Sequence, residues 1–452
     1  MSTSQSHVTA GAERLHALDA VRGTALLLGV VLHATLSFMP GAQVWLVADP
    51  SRSTALAMLF FTIHVFRMTL FFLLAGFFAH LLLHRLGTAA FIKNRLKRIA
   101  VPLFTFWPIV FSALIAVLVW LAYLKFGGIP KESPPGPKFT PGDFPLLHLW
   151  FLWVLLLFYT VALLLRSLFL RIDGDGALRG IADNVVAWLM HPLGIFVLAL
   201  PTAMVLFAVP QWFLWIGIPT PDKTLYANLP AWVAYGSAFG FGWLLDRQRH
   251  LLARWRDRWP TNLAIAIIAL CFCFVSMNHI NTTLPMSMDG LKIVLAMAYA
   301  IGAWAASIAA IGLALRFVDG YSPARRYIAD ASYWIYIIHL PIILALQVAS
   351  SQSTWPWMLK FPLLLLTGLA SMFASYHWLV RRTAIGVLLN GHRAGDRSLR
   401  GAAPPDGNLV SLGAERTLWH ATRRSQGFLR ITRRFSTRWP IPTAAKQRRA
   451  AT

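Results

Sequence analysis

Charge is scarce in this sequence. Asp, Glu, Lys and Arg together make up 13% of the 452 residues, against about a quarter in a soluble domain. With 57% hydrophobic residues and a mean hydropathy of +0.59, that deficit excludes an ordinary soluble fold. The chain carries repeated apolar runs of about 20 residues, the length that crosses a bilayer as a helix. Strict apolar–polar alternation, the mark of a membrane barrel, is missing, so helices are expected. Cysteine is rare: Cys271 and Cys273 both lie in one apolar run, and their C-x-C spacing puts them on different helix faces, which reads as packing. There is no Gly-rich phosphate loop, no zinc-ligand pair and no G-x-S-x-G elbow. No small-residue cleavage site follows the first apolar run, so it is read as a retained first helix. No internal repeat is evident, which weighs against an inverted-repeat transporter.

Acidic residues are the scarcer sign, 17 against 41 Lys and Arg, for a net charge of +24. In a soluble protein that balance would point to nucleic acid; here the position of the charge decides, and a lipid bilayer is the expected partner. Ten spans are expected, at about 18–39, 54–84, 101–125, 148–170, 187–209, 231–245, 261–277, 291–315, 331–349 and 361–380. On that division 33 basic residues fall in the N-tail, the even connectors and the C-tail, and seven on the other side. The positive-inside rule then puts both termini in the cytoplasm. Residues 1–14 read as a polar cytoplasmic tail, 15–382 as the membrane domain, and 383–452 as a basic tail expected to be disordered. RLGTAAFIKNRLKRIAVP reads as an interfacial helix, and 211–229, with Trp212 and Trp215, as an interfacial aromatic belt.

One run breaks the apolar pattern. Residues 18–38, LDAVRGTALLLGVVLHATLSF, carry Asp19, Arg22 and His33. Arg22 and His33 are about 1100° apart on a helix, so they share a face, about 16 Å apart along the axis. Asp19 and Arg22, one turn apart, read equally as a local ion pair at the interface. His33, in the outer half of the membrane by the charge count, reads either as an interhelical hydrogen-bonding group or as a general base for a hydroxyl proton. His64 and Arg67 have the same one-turn spacing in the second span, and Arg67 within FRMTLFFLLAGFF must face a polar interior or a partner. His148 opens the fourth span and is open to an interfacial role. His339 in YIIHLPIIL precedes Pro341 and is open to satisfying backbone groups that the proline frees. Arg95 and Arg98 in NRLKR either orient the chain against anionic lipid or hold phosphate through bidentate hydrogen bonds. The residues alone leave open an enzyme, a transporter or flippase using the buried His and Arg as a path, and a scaffold.

Several segments together resemble the membrane acyltransferase 3 family. LDAVRG followed by His33 is similar to its first-helix motif, an arginine or lysine, ten residues, then histidine. RLKR at 95–98, running into RIAVP, is similar to its R-x-x-R motif. HVFRMTLFFLLAGFF, HLWFLWVLL and SYWIYIIHLPIILALQ resemble the branch of glucan biosynthesis protein C, which modifies periplasmic glucans. The resemblance covers about 15–382 and does not explain the basic tail. It implies an all-α, polytopic inner-membrane enzyme that moves an acetyl or succinyl group from cytoplasmic acyl-CoA to a hydroxyl of an extracytoplasmic glycan. Acyl-CoA is then a co-substrate, with no tightly bound cofactor, no metal and no nucleic acid. Carried over, His33 would be the catalytic base, Arg22 would belong to the same site or the donor path, and Arg95 and Arg98 would hold the donor's phosphates. Asp19, His64, His148 and His339 would line the cavity. Arg67 is the first choice to stabilise a developing oxyanion. No serine or cysteine stands out as an acyl carrier, so direct attack is expected.

Overall fold

The computed structural model describes residues 2–41, 45–128, 136–279, 283–285, 289–318 and 320–391. Most of the tail expected to be disordered, 392–452, lies outside the described residues. Fourteen α-helices follow in order: α1 Ser2–Thr35, α2 Thr54–Leu86, α3 Thr88–Arg95, α4 Val101–Phe126, α5 Trp150–Ile172, α6 Ala177–Leu189, α7 Gly194–Ala208, α8 Leu229–Leu245, α9 Leu252–Asp257, α10 Trp259–His279, α11 Asp289–Phe317, α12 Pro323–Ser351, α13 Trp357–Ser375 and α14 Ala384–Asn390. Two three-residue strands, β1 Gln211–Phe213 and β2 Thr283–Pro285, pair antiparallel with Trp212 opposite Leu284. Nine of the ten expected apolar runs each fall on one of these helices, and the fifth is divided between α6 and α7. Eight helical segments among the described residues are long and apolar enough to cross a membrane, and the bent pair α6–α7 makes a ninth. The apolar α8 follows at 17 residues. The chain is therefore a multi-pass membrane protein.

The structure departs from the sequence reading at four places. The fifth run does not extend 187–209 as one rod: α6 and α7 meet at 101°. Pro192 in the break lacks the N–H that a continuous helix requires, and Gly194 N–H donates instead to His191 O at 2.9 Å. The basic connector at 88–100 is not a separate interfacial element. Thr88–Arg95 runs through a single wide turn, Leu96–Ala100, directly into α4. The packed chain also continues past 382, since Asn390 of α14 donates through Nδ2 to Asp330 O at 3.0 Å on α12. At the other end, helix begins at Ser2, inside the expected polar tail.

Helix α2 is the central rod, packed on α1, α8 and α11. Close approach to α8 depends on two glycines. A Cβ at Gly76 would strike the Phe239 carbonyl, and one at Gly242 the Leu73 carbonyl. Small-residue contacts of this kind let helix backbones meet in lipid, where apolar burial drives little association.

Where α1 ends, the chain turns through Leu36–Phe38 and is tied down by charge. Lys360 Nζ and Asp49 Oδ2 pair at 2.9 Å with both side chains 1% exposed. Ser353 O accepts from the same ammonium at 2.7 Å. Asp49 N–H donates to Ser37 O and Ser53 N–H to Phe38 O, both at 2.9 Å. Removing one member of a buried pair leaves the other charge uncompensated. Asp49→Asn is expected to destabilise by about 3–5 kcal/mol, read as a lowered melting temperature in detergent. Asp49→Leu with Lys360→Met is expected to recover most of the loss.

Candidate active site

Four helices deliver the ionisable groups to one chamber. His33 comes from the last turn of α1. His64 and Arg67 come from α2, one turn apart. His148 sits in the short turn Leu147–Leu149 that starts α5, and Tyr336 and His339 come from α12. They line a cavity of about 1010 Å³ that the loop residues Asp143, Thr220, Asp222 and Lys223 also line.

Backbone carbonyls fix three of the rings. His64 Nε2–H donates to Ile216 O at 2.7 Å. His148 Nε2–H donates to Ile337 O at 3.0 Å, and His339 Nδ1–H to Tyr336 O at 2.6 Å. Pro341 explains the second bond. Its missing N–H would have served Ile337 O four residues back, so His148 takes a carbonyl that the helix cannot satisfy. The sequence offered that task to His339; the structure assigns it to His148. Tyr336 O–H then donates to His148 O at 2.8 Å. An imidazole that donates from one nitrogen presents a lone pair at the other when neutral. The remaining nitrogens, His64 Nδ1, His148 Nδ1 and His339 Nε2, are buried and unpartnered.

His33 is held differently. Its Nδ1 is buried and unpartnered, and its ring lies 5.1 Å from His339 and 5.7 Å from Trp45 between centroids. Its backbone is fixed instead. Gln347, fully buried on α12, donates through Nε2 to His33 O at 2.8 Å and accepts at Oε1 from Trp45 Nε1 at 2.8 Å. The α1 helix ends at Thr35, so carbonyls in its last turn need outside donors, and Gln347 supplies one.

Arg67 stands among these rings with no carboxylate within ion-pair distance among the described residues. Its Nε is buried and unpartnered, and all four histidines lie within electrostatic reach of its charge. The guanidinium rests on α1 at Gly29, where a Cβ would sit 2.5 Å from Nη1. Gly29 is one turn before His33, so the absent side chain places the cation beside the imidazole.

The other expected residues form a second group toward the far end of α1. Arg22 pairs with Asp19 at 3.1 Å, both partly exposed, and lies over the Phe78 ring at 5.5 Å. Arg95 lies over Phe91 and Tyr159, 5.6 Å from each centroid. Arg98 packs its guanidinium on Gly391, whose φ of +82° suits a residue without a side chain. Arg22 and Arg95 are within electrostatic reach of Arg98. On α1 the chamber lining reaches inward to Leu26 and does not include Arg22. The shared helix face is therefore divided between two sites. Gly29, Trp45, Tyr336 and Gln347 were not singled out from the sequence. Gln347, a lone amide inside an apolar run, carried a readable signal; Gly29 carried one only once a cation on another helix was placed against it.

Residues 15–377 match the family described as acyltransferase domain. The chain is similar to Glucans biosynthesis protein C of Escherichia coli strain SMS-3-5 / SECEC, with 26% identity over 348 residues, 74% of this chain and 83% of that protein. It is equally similar to the protein of the same name from Escherichia coli strain K12, 26% identical over 348 residues with the same coverage. No solved structure matches the chain.

Gln347→Leu removes the donor to His33 O and the acceptor for the Trp45 indole in a near-isosteric change. The buried His33 carbonyl left without this donor costs about 1–3 kcal/mol. The expected result is a lower melting temperature in detergent together with a red-shifted Trp45 emission, measured against Trp45→Phe to isolate that indole.

Proposed function

Because the chain belongs to the acyltransferase domain family, we propose that it transfers an acetyl or succinyl group from cytoplasmic acyl-CoA to a hydroxyl of an extracytoplasmic glycan in the bacterial inner membrane. The observation that carries this reading is that His33, with its Nδ1 unpartnered, and Arg67, with no carboxylate partner among the described residues, meet in one chamber. A glycan acceptor is supported by the name of the relatives, Glucans biosynthesis protein C.

The chemistry follows from these two groups. His33 takes the proton of the acceptor hydroxyl as its oxygen attacks the thioester carbonyl. The new C–O bond forms while the carbonyl oxygen gathers negative charge, and Arg67 stabilises that charge. The C–S bond then breaks, and the proton on His33 passes to the departing thiolate. His64, His148 and His339 are each oriented by one nitrogen on a backbone carbonyl, so they shape the chamber around His33, the histidine that the first-helix motif singles out. Charge counting puts the chamber mouth outside and the cluster of Arg22, Arg95 and Arg98 inside, where its cations suit the phosphates of acyl-CoA.

The test is acyl transfer from labelled acyl-CoA to a glucose oligomer by the full-length protein in vesicles. His33→Ala is expected to lower transfer by about 10²–10⁴-fold; full transfer by this variant overturns the role of base. Arg67→Met is expected to cost about 10²–10³-fold in kcat. Gly29→Ala is expected to cost up to about 10²-fold by pushing Arg67 off its seat, with Arg67→Met/Gly29→Ala no worse than Arg67→Met alone.

A further inference from the structure

The chamber mouth is built from two loop segments stitched together. Phe144 N–H donates to Lys223 O at 3.0 Å, Leu147 N–H to Asp222 O at 3.1 Å, and Leu225 N–H to Pro141 O at 2.8 Å. The stitched residue Leu147 holds φ at +55°, a left-handed conformation that a branched side chain disfavours and that packing must enforce. His148 follows it directly. The turn carrying Asp222 is thus coupled through backbone to the segment that places a chamber histidine.

The Asp222 carboxylate is only partly satisfied: its own backbone N–H and Thr220 Oγ1 are its donors, and Lys223 lies within electrostatic reach. Its carboxylate lines the cavity and is partly buried. No lysine or arginine forms an ion pair with it among the described residues, and the nearest side-chain donor is Thr220 Oγ1 at 3.5 Å. The other loop carboxylate of the cavity, Asp143, is engaged by Lys138 N–H at 2.9 Å. Burial holds the Asp222 carboxyl above the usual carboxylate range. A half-buried carboxylate with open lone pairs wants donors, and it offers two oxygens side by side. Two adjacent hydroxyls of a sugar ring present donors at matching spacing and carry no charge.

We propose that Asp222 is an acceptor-binding subsite, holding two neighbouring sugar hydroxyls at the chamber mouth while another hydroxyl of the same glycan reaches His33. The inference rests on the acyl-transfer reading above and adds the class of group recognised: a vicinal diol of a neutral sugar. Asp222 acts on binding of the acceptor, not on the transferred proton. Its loss therefore separates acceptor KM from kcat.

Full-length protein in proteoliposomes, labelled acyl-CoA and a linear glucose hexamer as acceptor provide the test. Asp222→Asn keeps the shape and removes the charge. Its acceptor KM is expected to rise about tenfold or more, with kcat, donor KM and melting temperature within twofold or a degree of wild type. Asp222→Glu is expected to recover part of the acceptor affinity. If wild type transfers normally and Asp222→Asn leaves the acceptor KM unchanged, the subsite is overturned and the acyltransferase reading stands. If Asp222→Asn lowers kcat at unchanged acceptor KM, the subsite is also overturned, because the residue then acts on the chemical step. A wild-type protein that acylates no hydroxyl of the hexamer overturns both readings together.

Discussion

A guanidinium inside an apolar bundle has to be answered by something, and Arg67 is answered by space. No carboxylate reaches it among the described residues; the cation faces a chamber, backed by a helix surface made bare at Gly29. A carboxylate partner would have consumed the charge. Without one, the charge is left open to the chamber, which suits the oxyanion role proposed for it. The rest of the chamber is consistent with that purpose. The titratable side chains around it are four imidazoles and the phenols of Tyr235 and Tyr336, which add polarity without adding a fixed negative charge. Three of the four are immobilised by backbone oxygen, so the chamber is arranged before any substrate enters.

The immobilisation depends on a defect. Pro341 breaks the hydrogen-bond ladder of α12, and the carbonyl it strands, Ile337 O, becomes the anchor of His148. In lipid such a carbonyl has no water to turn to. The helix interruption and the histidine from another segment therefore solve each other's problem. Gln347 does the same at the end of α1, where a helix terminus exposes the carbonyl of His33. Both devices attach a functional side chain to a place where regular secondary structure fails.

Much of this was legible in the chain. Apolar run length located the helices, and the lone ionisable residues His33, His64, Arg67, His148 and His339 all reach one cavity. A charged or imidazole side chain in lipid has few places to go, which is why the sequence singled these out. The division of labour between His148 and His339 was not legible, because it depends on which neighbour's ring reaches the stranded carbonyl. Nor was Gly29, since an absent side chain signals only when its visitor is known. Arg22 shares the helix face of His33 by periodicity, yet pairs with Asp19 outside the chamber lining. Periodicity gives direction around a helix and says nothing of how far along it a cavity extends. The bend between α6 and α7 escaped because Pro192 and Gly194 sit inside a run that is apolar enough to read as continuous.

That bend has a consequence for the membrane itself. After it, α7 has 15 residues and its neighbour α8 has 17, or about 22 and 26 Å of rise. A hydrocarbon slab is about 30 Å thick. Two helices of that rise fall short of the slab, a mismatch that bilayer thinning or snorkelling flanking residues accommodate. Where thinning is the answer, the oily thickness on that side is set by this protein as much as by its lipids.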